Sequence, residues 1–115
     1  MATFYWLVEE DGELRTITFE GYEAGWAYTS TVNGNTYYNV YITDNGEVVI
    51  KEEDKTGVVF YKYGSEEEAV GAGWKYILES ERVRWGLNEI RSWRERNERM
   101  RAEWLKQIEE HKANS

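Results

Sequence analysis

The chain contains no cysteine, no proline, a single histidine, and no apolar run long enough to span a bilayer. Lacking cysteine, it has no disulfide, no thiolate nucleophile and no cysteine-ligated metal site. Lacking proline, it has no rigid linker and no cis-proline turn to divide it. The lone His111 stands near the C terminus among Glu109, Glu110 and Lys112, the setting of an exposed helix end, so a serine or threonine nucleophile would need some other base. No phosphate-binding loop or dinucleotide fingerprint occurs, because Gly71-Ala72-Gly73 lacks the strand–turn–helix context that makes such glycines informative. Glu52, Glu53 and Asp54 read as acids on a solvated turn rather than as a metal cage. The expectation is a non-enzymatic protein with no catalytic residues, no metal and no cofactor. The sequence starts on apolar residues without a basic leader, which reads as cytoplasmic, with no membrane insertion.

At 115 residues the chain has the length of one ordinary domain. The apolar fraction of 41% is modest, but aromatics supply 16% of the residues and each buries a large area, so the chain is expected to fold. The formal charge of −8 argues against direct nucleic-acid or anionic-lipid binding, and its distribution is uneven. Residues 1–64 carry eleven acids against four bases, whereas residues 82–101 carry seven Arg against three Glu.

Residues 3–63 alternate with the period of β-strands. Phe4, Trp6 and Val8 lead to an Asp11-Gly12 reversal and then to Arg15, Ile17 and Phe19, which is a hairpin. Residues 21–25 read as a loop, Trp26–Val32 as a third strand, and Asn33-Gly34 as the next turn. Tyr38, Val40 and Ile42 mark one face of the following strand, with Tyr37, Asn39 and Tyr41 on the other. Val48–Ile50 and Val58–Tyr63 complete a five- or six-stranded antiparallel β-meander over residues 1–64.

From Gly64 the period becomes helical. Ser65 with Glu68 forms a capping box, and Glu66, Glu67 and Glu68 suit the positive end of a helix. The apolar stripe runs through Val70, Trp74, Ile77, Leu78, Val83, Leu87 and Ile90, then through Trp93, Met100, Trp104 and Ile108. Residues 65–115 are therefore expected to form one or two long C-terminal helices, with Gly71, Gly73, the Ser80 region and Gly86 each offering a place to bend or break, on an α+β fold that is one domain overall. The helix outruns any sheet of this size, so Trp93, Met100, Trp104 and Ile108 are expected to form a homo-oligomer interface.

Candidates for ligand recognition are the arginines and aromatics. Arg84, Arg91 and Arg94 supply donor forks for phosphate or carboxylate; Trp26, Trp74 and Trp85 offer ring faces; Asn88 can read a base edge. The competing reading is helix-surface salt bridging for the arginines and core or subunit packing for the tryptophans.

Acidic, free of Cys and Pro, aromatic-rich, and laid out as a sheet followed by helices, the chain resembles small phage-encoded anti-defence proteins. That resemblance implies a binding or inhibitory protein in the cytoplasm of an infected bacterial host. Some such proteins occupy a host nuclease or effector; others are oligomeric sponges for a cyclic nucleotide or cyclic ADP-ribose type signal. The partner implied is a host protein or a small phosphorylated ligand. A structural or assembly role is the third reading.

Overall fold

The computed structural model describes residues 2–113. The alternating segment forms five strands: β1 (Ala2–Glu10), β2 (Glu13–Thr31), β3 (Gly34–Thr43), β4 (Val48–Asp54) and β5 (Gly57–Tyr63). They make one antiparallel meander in the order β1-β2-β3-β4-β5. The segment read as a loop is instead part of β2, which runs unbroken for 19 residues. Its first half pairs with β1 as far as Gly21, its second half pairs with β3, and the register slips between Glu23 and Gly25. That β-bulge bends the strand without ending it, and for this reason the count is five rather than six.

The two faces of the sheet bury different sets of side chains. Tyr38, Val40 and Ile42 of β3 lie beside Val48 and Ile50 of β4, and these join the core beneath the helices. On the opposite face, Phe4 and Trp6 of β1, Phe19 of β2 and Tyr41 of β3 pack with ring centroids 4.8–5.8 Å apart. Trp6 also lies 5.3 Å from Phe60 of β5. Contact between the first and last strands of a five-strand order requires the sheet to curl, and this aromatic cluster fills the inside of the curl. Lys51 sits 5.1 Å over the Trp6 ring and closes the cluster with a cation–π contact.

The helical half begins at the expected cap. Ser65 Oγ accepts from the Glu68 N–H, while the Glu68 carboxylate accepts from the Gly64 N–H at 2.8 Å, one residue before the position the capping box predicts. The short helix α1 (Glu66–Ala69) passes through a π-helical turn at residues 70–74 into α2 (Lys75–Leu78). Gly73 holds φ at +105°, a left-handed value that a side chain would strain, and there the chain kinks. The kink drives Trp74 into the core, where its indole N–H donates to the Tyr63 hydroxyl at 2.7 Å and its ring meets Tyr38 and Tyr61.

Ser80 is the break. Its backbone N–H and its hydroxyl both donate to the Ile77 carbonyl, ending α2, and its own carbonyl accepts from the Arg84 N–H, starting α3 (Glu81–Ala113). Gly86 does not break α3, which is one long helix of 33 residues. Instead it sets the packing distance. A Cβ built on Gly86 would lie 1.7 Å from the carbonyl oxygen of Ala24, in the β2 bulge. Val83 and Leu87 flank this contact and are fully or almost fully buried.

Two consequences are measurable. Gly86→Ala forces two backbones apart and is expected to cost about 3 kcal/mol or more in urea unfolding. Gly71→Ala, where an added Cβ meets nothing within 4 Å, should change stability by no more than about 1 kcal/mol. Burial pushes the Tyr38 hydroxyl up to about 12, and burial together with the charges of Glu23 and Glu53 raises Tyr41 further. Tyr61 is raised by burial as well. Because these folded-state values exceed the unfolded value of about 10, the neutral phenols contribute stability that is fully present below that pH and lost as pH rises through the folded values. The urea midpoint is expected to fall above about pH 10, and a Tyr38→Phe/Tyr41→Phe variant should lose less over the same range.

Candidate functional site

The residues that sequence reasoning nominated separate into four places. Trp74 belongs to the core, 9% exposed, and presents no ring face to a ligand. Trp85 and Asn88 lie on the side of α3 turned away from the sheet, both exposed. Trp26 projects from β2 beside the start of α3, with the Arg82 guanidinium 4.4 Å over its ring. Arg84, Arg91 and Arg94 share the edge of α3 that faces α1 and the β3–β4 turn.

Those three arginines line or flank a groove of about 580 Å³, floored by Ile42, Leu87 and Ile90. Their donor forks already have acceptors. Arg84 Nη1 lies 3.3 Å from one carboxylate oxygen of Glu66 and Arg91 Nη2 lies 2.7 Å from the other. Arg94 donates to the backbone carbonyl of Asp44 at 3.3 Å. Glu66 thus acts as an internal counter-ion that ties α1 to α3, and Arg94 ties α3 to the turn between β3 and β4. Glu66 entered the sequence reading only as a residue of an acidic first turn. The pairing partner 18 or 25 residues away leaves no periodic signal.

The acids gather elsewhere. The β1–β2 turn carries Glu9, Asp11 and Glu13, and the end of β4 carries Glu53 and Asp54. The two hairpin tips lie side by side: a cleft of about 440 Å³ is walled by Leu7, Val8, Glu9, Asp11 and Gly12 from one and by Thr56, Gly57 and Val58 from the other. The Thr56 hydroxyl and backbone N–H beside Asp54 hold its carboxyl below the usual carboxylate range. The curl that brings Trp6 to Phe60 is what brings these tips together. Among the described residues no group of three or more His, Asp or Glu side chains has the geometry to hold a metal ion.

Two further surfaces remain. Trp26, Tyr28 and Tyr37 form a row on the sheet with centroid spacings of 6.3 and 6.2 Å, all substantially exposed. The cross-strand pairing of Tyr28 with Tyr37 is an ordinary stabilising ladder of a strand ribbon. The second surface is the distal part of α3. Trp93 touches Tyr22 of β2 at 5.2 Å, and beyond it every described residue except Arg94 is exposed. Met100 is 66% exposed, Trp104 71% and Ile108 42%.

No protein-family model matches the chain, no curated protein matches it, and no solved structure matches it. No helix among the described residues is long and apolar enough to cross a membrane.

If Glu66 neutralises the arginines of the groove, Glu66→Gln releases two guanidinium groups. The variant is expected to gain pyrophosphate binding, read by calorimetry, that the parent lacks at the same concentration. Tight binding by the parent would show that the arginines are available as they stand.

Proposed function

We propose that this chain is a non-enzymatic binding or inhibitory protein, working as a homo-oligomer, whose acidic hairpin end occupies a basic surface on a bacterial defence nuclease or effector. The observation that carries this reading is the convergence of the two acidic hairpin tips at one end of the curled sheet. A concentrated single-sign surface steers association with an oppositely charged groove and rejects other partners, which is what an inhibitor of a nucleic-acid-binding protein needs. The setting is the cytoplasm of an infected host cell.

An assembly role is a second reading, favoured by the exposed stripe on the distal part of α3. The two are compatible, because the tips and the arm lie apart. Arg94 fixes the arm's departure beside the β3–β4 turn, whereas the β4–β5 tip lies at the other end of β4.

The test is a nuclease or effector activity assay coupled to recovery of partners from the host at low and high salt. The protein is expected to capture a basic partner at low salt, release it as salt rises, and inhibit its activity. A Glu9→Gln/Asp11→Asn/Glu53→Gln/Asp54→Asn variant should lose at least about tenfold in affinity, roughly 1.4 kcal/mol. Recovery of no basic partner, together with unchanged activity of the host's defence nucleases and effectors, would remove the proposal.

A further inference from the structure

The distal part of α3 leaves Trp93, Met100, Trp104 and Ile108 uncovered, and their position on the helix decides what covers them. Successive residues turn by about 100°, which places Trp93, Met100, Trp104 and Ile108 within a band about 80° wide. Gly86 and Ile90, which face the sheet upstream, fall in the same band. The stripe is thus the sheet-packing face of α3 continued past the end of the sheet. A helix buried on one side for its first turns presents that same side, unpartnered, for the rest of its length.

Charge along the arm is segregated. Residues 94–101 hold Arg94, Arg96, Arg99 and Arg101 against two Glu, and residues 103–110 hold three Glu against Lys106. The two windows are equal in length and opposite in sign, and reversal about position 102 maps one onto the other. A parallel pair would set like charge beside like charge over both windows. An antiparallel pair sets the basic window of each chain beside the acidic window of the other, with Met100 opposite Trp104, Asn97 opposite Gln107 and Trp93 opposite His111. It also overlaps the arms along almost their full free length, so that each arm tip ends near the other chain's sheet.

We infer that the occupant of this face is a second copy of the chain, its arm laid antiparallel, with the two-fold axis crossing between Met100 and Trp104. This deepens the homo-oligomer named above and rests on it. The exposed parts of Trp93, Met100, Trp104 and Ile108 from both chains total on the order of 1,000 Å², the lower bound for a specific interface. Apolar burial holds the pair together and the charge segregation fixes its direction. Each acidic hairpin end lies on the far side of its sheet from the arm, so the dimer carries two such ends pointing apart. It is a bivalent binder, and a partner with two basic sites would be held far more tightly than by one chain.

The absence of native cysteine makes the geometry directly testable. Sedimentation equilibrium of the parent at micromolar concentration should give two chains per particle, and Trp104→Ala should raise the dissociation constant about 100-fold or more, since the side chain is lost twice per dimer. Circular dichroism of the variant should retain the parent's strand signal. Asn97→Cys chains mixed with Gln107→Cys chains should form a mixed disulfide on oxidation, whereas neither alone should link efficiently to itself. Failure of the activity assay with an intact dimer would remove the nuclease reading and leave this inference standing. A monomeric parent, an unchanged dimer in Trp104→Ala, or efficient self-linking of Gln107→Cys would each overturn it.

Discussion

The seat of α3 on the bulge of β2 is the contact from which the rest of the architecture follows. Gly86 lets the helix backbone reach the Ala24 carbonyl, and the bulge between Glu23 and Gly25 pushes that backbone out to meet it. Gly25 packs against the helix from the other side, less tightly, where an added Cβ would lie 3.0 Å from the Arg82 carbonyl oxygen. With the helix fixed here, Val83 and Leu87 join the buried cluster that also holds Val40 and Ile50, and Arg84 and Arg91 come within reach of Glu66. The same bulge bends β2, and a bent β2 allows β1 to fold over toward β5. Helix packing and sheet curl are therefore two results of one local irregularity.

From that seat the molecule divides its surfaces. The groove beside α3 has the residue types of an anion site, and the contacts of its guanidinium groups to Glu66 and to the Asp44 carbonyl brace α3 against α1 and the β3–β4 turn. The curl carries acidic side chains of two hairpins to one end, where Lys51 pairs with Glu53 and Lys55 adjoins Asp54. The arm leaves from the other end with its apolar side uncovered. The acidic hairpin tips and the exposed apolar side of the arm thus occupy different places on the molecule.

Much of the fold was legible because its signals are local. Alternation through Tyr38, Val40 and Ile42 gave the buried face of β3, Asp11-Gly12 gave the first turn, and Ser65 with Glu68 gave the helix start. Residues 21–25 read as a loop because two glycines in five resemble a turn. They are a bulged strand because pairing to β3 continues across the slip, a tertiary fact with no signature in local composition. Gly86 reads locally as a place to bend, whereas its use is close approach to another backbone. The candidate site was legible in residue type but not in partner: Arg84 and Arg91 were identified as donors, and nothing local pointed to Glu66 as their acceptor. The nearness of the two hairpin tips has no local signature either, since Leu7, Val8, Glu9, Asp11 and Gly12 meet Thr56, Gly57 and Val58 only through the curl.

The central claim is that α3 covers its own sheet with its first half and a second chain with the rest. Small-angle X-ray scattering of the unmodified protein at micromolar concentration tests this most directly, because one chain is 69 × 33 × 21 Å. Overlapping two such bodies along arms about 30 Å long predicts doubled mass and a maximum dimension near ~110 Å. A particle of single-chain mass and about 70 Å maximum dimension would contradict the account.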